Sequence, residues 1–466
     1  MQALHTIILA AGQGKRMNSA LPKVLHRLGG RRLLDFVIDA AFRAGSDKIH
    51  VVYGHGGDRI RAAFPDTAPN PDVDIHVDIP LNIEFVHQAA QLGTGHAVQQ
   101  AMPGIPDEAI VLVLYGDVPL VKPATLAQVI SKAGAYSIGL VTARLPDPTG
   151  YGRILRDGQG HVTGIMEEKD ADGAQRAIDE INTGIMAVPA GRLRGWLGSL
   201  TRDNTQGEFY LTDVIAMAVR EGLAVETVAP ESIEEVLGVN DRIQLAQLER
   251  HQQGEQARAL MAAGVTLKDP ARFDIRGQVS TGRDVTIDVN VILEGKVIIG
   301  DDVTIGPNTI IRDTEIGAGT TIQANCVIEE AVVGADCRIG PFSRLRPGAQ
   351  LADRVHVGNF VEIKKSQVGE GSKVNHLTYV GDARIGRGVN VGAGTVTCNY
   401  DGVNKHPTEI GDSVFIGSGT MLVAPVTIGA GGTIGAGSTI TKDTPPDRLT
   451  VERSRQTTFK AWKRGG

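Results

Sequence analysis

Between Leu9 and Met17 the chain reads Leu-Ala-Ala-Gly-Gln-Gly-Lys-Arg-Met. Gly12 and Gly14 carry no Cβ, so backbone N–H groups there can approach an anion closely. Lys15 and Arg16 follow at once, and Pro22-Lys23 adds a third cation. A bare Gly-x-Gly also fits a dinucleotide-binding turn or a plain tight turn. However, the third glycine of the dinucleotide fingerprint is missing, and cations cluster where a helix N-terminus would normally suffice. That density of positive charge suits a triphosphate better than a single pyrophosphate. A second chemistry-bearing stretch lies far downstream, Val374-Asn375-His376-Leu377-Thr378-Tyr379-Val380-Gly381-Asp382. Histidine is the side chain most often used as a general base near neutral pH. Without further context, His376 is an exposed polar residue in a turn.

The elements that must hold these residues differ between the two halves. Residues 5–10 are a short apolar run ending in glycines, which fits a central strand of a parallel sheet. Similar runs occupy 49–53, 83–86, 110–114 and 137–141, with helical stretches at 33–44, 94–101 and 123–133. This alternation predicts a Rossmann-like α/β domain with a mostly parallel sheet. Ligands of such sheets sit at the carboxyl ends of the strands, which singles out the loops after Ala10 and Leu114. The back half instead repeats Ile-Gly or Val-Gly at steps of six, as at Ile299-Gly300, Ile305-Gly306, Val357-Gly358, Ile385-Gly386, Val391-Gly392, Ile410-Gly411, Ile416-Gly417 and Ile434-Gly435. A helix returns its apolar residues every 3.6 positions. A period of six is the mark of a hexapeptide-repeat, left-handed parallel β-helix. Coils of roughly 18 residues, about nine in number, would stack at ~4.8 Å into a prism about 45 Å long. Two interruptions are expected, a small one at 312–315 and a larger one at 397–409 that leaves the stack. Insertions in a solenoid map to loops on one face, often the binding face. Residues 241–263 are rich in helix formers behind a candidate cap, Asp241. The expected layout is an α/β domain at 1–229, a linker with a connecting helix at 230–264, and a β-helix domain with a C-terminal tail at 265–466.

Composition limits the partners. In 466 residues, 47 Lys+Arg stand against 53 Asp+Glu, for a net charge of −6. That balance offers no footprint for nucleic acid or an acidic membrane surface. Cys326, Cys337 and Cys398 are the three cysteines. Their odd number and unpaired spacing argue against a disulfide framework or a structural zinc site. Cys326 and Cys337 are expected to be small buried hydrophobes. No charged and apolar leader and no long apolar span is visible, so a cytoplasmic location without membrane insertion is expected.

Several motifs carry a resemblance. Leu9-Ala10-Ala11-Gly12-x-Gly14-x-Arg16-Met17, Pro22-Lys23-Val24-Leu25, Gln88-x-x-Gln91-Leu92-Gly93-Thr94 and Tyr115-Gly116-Asp117-Val118-Pro119-Leu120 are similar to the sugar-nucleotidyltransferases. With the hexapeptide region and His376-Leu377-Thr378-Tyr379-x-Gly381-Asp382, nearly the whole chain resembles the bacterial bifunctional N-acetylglucosamine-1-phosphate uridylyltransferase/glucosamine-1-phosphate acetyltransferase family. Lys15 departs from the family pattern, which usually has Thr there.

The resemblance implies acetyl transfer from acetyl-CoA to glucosamine-1-phosphate. Uridylyl transfer from UTP to N-acetylglucosamine-1-phosphate then releases pyrophosphate and supplies a nucleotide sugar for peptidoglycan and lipopolysaccharide. It implies Mg²⁺ on Asp117 and Asn240, with Arg16 and Lys23 neutralising phosphate charge. Leu9, Ala10, Ala11, Gly12, Lys23, Tyr115, Gly116 and Asp117 would hold the nucleotide. Gln88, Gln91, Gly93 and Thr94 would hold its uracil. Gly152, Glu167, Asn182 and Thr212 would hold the sugar. In the rear domain His376 would be the base. Arg346, Lys364, Tyr379 and Asn390 would hold the sugar phosphate, and Asn399, Tyr400, Ser418, Ala436 and Arg453 acetyl-CoA, with Lys405 in the same cleft. Lys364 and Lys365 point to opposite faces of a strand, and the likeness selects Lys364. A homotrimer through the β-helix, with the acetyl-transfer site between subunits, is also implied.

Two other readings compete. One is a single-activity sugar nucleotidyltransferase with a structural or regulatory β-helix, against which His376-Leu377-Thr378-Tyr379 and the 397–409 insertion speak. The other is a non-catalytic regulator with a degenerate front domain, against which Arg16, Lys23 and Asp117 speak.

Overall fold

Each apolar run of the front half becomes a strand, buried except for Ile83–His87 at the edge of the sheet. The computed structural model describes residues 2–12, 14–54, 56–64 and 82–462, and the chain divides into two units, Met1–Gln252 and Gln253–Gly466. In the first unit, β1 (Leu4–Ala10), α1 (Leu33–Arg43), β2 (Lys48–Tyr53), β3 (Ile83–His87), α2 (Thr94–Ala101), β4 (Ile110–Tyr115), α3 (Pro123–Lys132) and β5 (Ser137–Arg144) fall on the expected stretches. They are followed by β6 (Arg153–Arg156), β7 (Val162–Met166), β8 (Glu180–Pro189) and β9 (Ala224–Val228). The sheet order is β9-β5-β8-β4-β1-β2-β3, with β6 and β7 forming a ribbon off β8. All pairings along this path are parallel except those of β8, which runs against both β4 and β5. Its ten residues are all buried, and a strand covered on both faces reads as apolar in either direction. That is why its orientation could not be read from the sequence.

At the amino ends of these strands, away from the loops expected to bind, three side chains form a chain across the sheet. His5 Nδ1 lies 3.1 Å from His50 Nε2, and His50 Nδ1 lies 3.3 Å from Glu84 Oε2, which Lys48 also meets at 2.7 Å. Burial depresses both histidines, His50 down to about 4; Glu84 opposes the shift at His50, while Lys48 and His5 add to it. The folded pKa of His50 thus lies below its unfolded value of about 6.5. The unfolded chain takes up the proton first, so stability is complete above about pH 6.5 and is lost as pH falls toward 4. Hydrogen-exchange protection of β1 and β2 is expected to fall across that window, and to fall less in His50→Leu. Equal pH slopes in the two proteins would rule out this origin.

Asp241 Oδ1 accepts from the backbone of Ile243 and Gln244, each at 2.9 Å, and so caps the helix α4 (Arg242–Ala262). In the second unit one face is a sheet of 11 parallel strands running from Thr266–Leu267 to Leu449–Thr450. The other two faces form one sheet of 16 strands, because Phe273–Thr281, Val291–Ile299 and Ile310–Ile316 turn their shared corner without a break. The stack is therefore longer than nine coils. The small interruption expected at 312–315 is a register shift between the pairs Glu294–Arg312 and Val297–Thr314, inside the continuous strand Ile310–Ile316. The coil length is 17 or 18 residues, as the partners Thr286, Thr304, Thr321, Arg338, His356, Lys373 and Asn390 show. Ile287, Ile305, Ile322, Ile339, Val357, Val374 and Val391 stack in the lumen with Cys326 and Cys337. Each such buried aliphatic side chain contributes roughly 1.5–3 kcal/mol.

The next partner of Asn390 is Phe415, so the large insertion is real. Its ends are strand, however. Val396–Cys398 and Thr408–Ile410 stay in the ladder, and only 399–407 leaves it, pinched by an antiparallel bridge between Tyr400 and Lys405. Among the described residues no helix is long and apolar enough to cross a membrane.

Candidate functional site

In the first unit the two privileged loops meet. Gly116 N donates to Leu9 O at 3.0 Å, which joins the carboxyl ends of β4 and β1. A cleft of about 280 Å³ opens there, lined by Leu9, Ala10, Ala11, Gly12, Lys23, Gln88, Gln91, Gly93, Thr94, Tyr115 and Asp117. Gln13 of the loop lies outside the described residues. Gln91 Nε2 donates to Ala11 O at 2.9 Å, and Gln88 Nε2 to Gly93 O at 3.2 Å. Gly93 has φ +110°, and a Cβ there would stand 2.6 Å from Phe209 O, so only glycine lets this corner close. Lys15 and Arg16 are exposed on a short 3₁₀ turn and are not among the side chains lining the cleft.

Lys23 marks a cation position. Its Nζ donates to Asp117 Oδ2 and, at 3.3 Å, to Asn240 Oδ1. These residues are far apart in sequence, and Val239 N, donating to Asp117 O at 2.8 Å, brings their segments together. Two hard oxygens converging on one positive charge beside a phosphate loop fit a divalent metal that takes few protein ligands and completes its shell with phosphate and water.

A second cavity of about 240 Å³ shares Thr94, Tyr115 and Asp117 with the first and adds Gly152, Glu167, Asn182, Thr212 and Asn240. Strand register explains why these distant residues meet. Arg153 pairs with Ile181 on one side and Met166 on the other, so Asn182, Gly152 and Glu167 form the next row across β8, β6 and β7. Asn182 N donates to Gly152 O at 2.8 Å within that row. Thr212 Oγ1 donates to Glu167 Oε1 at 2.9 Å. Burial holds the Glu167 carboxyl above the usual range, against that hydrogen bond. Burial, reinforced by Glu167 and Asp117, likewise pushes the Tyr115 phenol up.

In the second unit the candidates fall on two edges of the prism. Asn359, His376, Ala393, Ser418 and Ala436 occupy one corner of successive coils. Their carbonyls accept in turn from Leu377, Gly394, Gly419 and Gly437, each the residue after the next member. Arg453 Nη1 donates to Ala436 O at 2.9 Å, which brings the tail to the same edge. At ~4.8 Å per coil, Ser418 and Ala436 lie roughly 10 and 14 Å along the edge from His376. His376 is exposed, with Nδ1 2.9 Å from Asn359 Oδ1. Tyr379, three residues on, stands on the adjoining face, at most ~10 Å away along an extended chain. Asn390 lies on the opposite side of that corner, in the 11-strand sheet.

The second edge carries a ladder of charge. Arg276, Glu294, Arg312 and Glu329 stack in register with alternating sign, Arg312 meeting Glu294 at 2.8 Å and Glu329 at 3.2 Å. Leu345 follows Ile328 and Ile363 follows Leu345, so Arg346 and Lys364 are the next two rungs. There alternation stops and two cations adjoin. Lys405 from the 399–407 loop joins them, and it is the first cause holding the Lys364 ammonium below its ordinary range, ahead of Arg346. Arg346 retains one partner, Glu362 at 2.7 Å. Asn399 Nδ2 donates to Asp382 at the same corner. An anion would relieve the like-charge contact. Tyr400 is exposed, its hydroxyl donating to Gly402 O at 2.5 Å.

Sequence reasoning missed Gly150, Tyr151 and Gly184 in the second cavity, as well as Asn359 and Glu362. Gly150-Tyr151-Gly152 was findable as a paired-glycine turn. Asn359 was findable by stepping back one coil from His376, once the coil is known to be 17 residues.

The MobA-like NTP transferase domain model matches residues 6–182, the GMPPB C-terminal domain model 275–364, and six repeats of the bacterial transferase hexapeptide 407–442. Fold and clefts together define a nucleotidyltransferase joined to a hexapeptide-repeat acyltransferase. The chain is 55% identical to the bifunctional protein GlmU of Alkalilimnicola ehrlichii, covering 100% of this chain and 97% of that protein. It is 57% identical to that of Methylococcus capsulatus, covering 98% and 96%. The chain belongs to the family of bifunctional GlmU proteins. It is an enzyme with two activities, uridylyl transfer and acetyl transfer, and the nucleotidyltransferase family implies use of a divalent metal.

Proposed function

We propose that the two edges of the prism and the two joined clefts are the working sites of these activities, and that the metal is Mg²⁺ held by Asp117 and Asn240. In the rear unit Arg346, Lys364 and Lys405 bind the phosphate of glucosamine-1-phosphate, and Tyr379 and Asn390 position its sugar. Asn359 accepts from His376 Nδ1–H, leaving Nε2 to take the proton from the sugar ammonium. The free amine then attacks the thioester carbon of acetyl-CoA, and the thiol leaves. Ser418, Ala436 and Arg453 line the path of the cofactor along the edge from His376, and Asn399 and Tyr400, on the loop at the second edge, are its other contacts. The observation that carries this reading is the break in charge alternation at Arg346 and Lys364, beside the histidine face.

In the front unit Gln88, Gln91, Gly93 and Thr94 hold the uracil, and the 9–12 loop and Lys23 hold the phosphates of UTP. Gly152, Glu167, Asn182 and Thr212 orient N-acetylglucosamine-1-phosphate so that its phosphate faces the α-phosphorus. Bound Mg²⁺ would neutralise charge on the phosphates during transfer. Lys23 must then leave the Asp117–Asn240 position, and it moves to the phosphates. A homotrimer built along the prism faces, with subunits completing each other's acetyl-transfer site, and a cytoplasmic place of work agree with these substrates.

The test is a single incubation with glucosamine-1-phosphate, acetyl-CoA, UTP and Mg²⁺, omitting each in turn. UDP-N-acetylglucosamine is expected only in the complete mixture. Free thiol is expected without UTP but not without the amino sugar phosphate; no thiol in the mixture lacking only UTP would sink the acetyl-transfer assignment. A fragment ending at Gln252 is expected to form the nucleotide sugar when given UTP and N-acetylglucosamine-1-phosphate. A folded but inert fragment would refute the autonomy of the front unit.

A further inference from the structure

Arg153 is a charged side chain only 1% exposed, on the short strand β6 behind the second cavity. Strand alternation turns it away from Gly152 and from the row that Gly152 shares with Asn182 and Glu167. Its guanidinium nevertheless returns to the ends of that row. One Nη donates to Tyr151 O, and the other meets Glu168 Oε2 at 2.6 Å and Arg176 O at 3.4 Å. Tyr151 and Glu168 are the neighbours of Gly152 and Glu167, and they would form the next pair if the β6–β7 ladder continued. The ladder stops at Arg153–Met166, and the guanidinium bridges the open end in its place. The Gly152–Glu167 step is thereby held on both sides, by strand pairing and by an ion pair.

Stability alone does not account for this side chain. Its Nε is buried and has no partner among the described residues, and an unsatisfied buried donor costs about 1–3 kcal/mol. A buried ion pair is often no more stabilising than an apolar replacement, and its best-attested use is to fix register. We propose that Arg153 is a positioning residue for uridylyl transfer, locking Glu167 and Gly152 in the register that receives the sugar phosphate acceptor. The inference rests on the assignment of Gly152, Glu167 and Asn182 to the sugar.

The test uses the full-length enzyme and the variants Arg153→Met, Arg153→Lys and Glu168→Gln, the last at a partly exposed position where folding is least at risk. The KM for N-acetylglucosamine-1-phosphate is expected to rise about tenfold in Arg153→Met and Glu168→Gln, with Arg153→Lys between them and the parent. The KM for UTP is expected to stay within about twofold, which reports an intact front unit. The double variant is expected to be little worse than either single one, since both break one bridge. A parallel rise in both KM values, or an unchanged acceptor KM in Glu168→Gln, would overturn the proposal. Asn182→Ala and Glu167→Gln separate the two layers of inference. If they raise the acceptor KM and the bridge variants do not, only the positioning role fails. If they too leave it unchanged, the sugar assignment itself fails.

Discussion

His376→Ala is expected to lower acetyl transfer by roughly 10²–10⁴-fold, the usual worth of a positioned general base, with uridylyl transfer unchanged. The amino sugar is an ammonium ion near neutral pH and cannot attack until it loses a proton. His376 is exposed at the corner from which Tyr379 leads across to the Arg346–Lys364–Lys405 cluster. A phosphate held on those cations places the amine on the intervening face. Asn359 Oδ1, at 2.9 Å from Nδ1, fixes the tautomer that leaves Nε2 free to accept. Asn359→Ala should therefore cost less than His376→Ala, because it loosens the imidazole without removing it. The measurement is thiol release from acetyl-CoA alongside pyrophosphate release from UTP. A matched loss in both assays would point to misfolding and away from a base.

Asp117→Ala is expected to lower uridylyl transfer by about 10²–10³-fold, as for loss of one preorganised electrostatic group, and to spare acetyl transfer. Asp117 Oδ2 and Asn240 Oδ1 converge on Lys23 Nζ; with both proposed as metal ligands, loss of Asp117 would remove one of the two. It also removes the carboxylate that accepts from Lys23 Nζ. Raising the Mg²⁺ concentration is expected to recover part of the loss, since metal affinity suffers first. Full activity at ordinary Mg²⁺ concentration would show that Asp117 is no ligand.

Legibility in the sequence followed the range of the interactions. The loop at 9–17 was readable because its glycines and cations are a few adjacent residues, and the run at 374–382 because its string of adjacent residues carries a resemblance, although it spans two strands of different sheets. The hexapeptide period was readable because the lumen accepts an Ile or Val at every sixth place, and the structure stacks those residues. The small interruption at 312–315 was also seen. Its loss of period reflects a coil shortened from 18 to 17 residues inside an unbroken strand. The 397–409 insertion was seen, but its ends belong to strands whose partners lie on other coils.

By itself, the sequence determined the two architectures, since local periodicity needs no knowledge of what lies across the fold, while the two chemistries were legible only through the resemblance its motifs carry. Only the tertiary structure decided that Lys23 sits between Asp117 and Asn240, that Asn182, Gly152 and Glu167 share a row, and that His376, Ser418 and Ala436 share an edge. Each of these meetings depends on hydrogen-bond register between distant segments. A shift of one residue in register would send every side chain of a strand to the opposite face, and no local pattern records that choice.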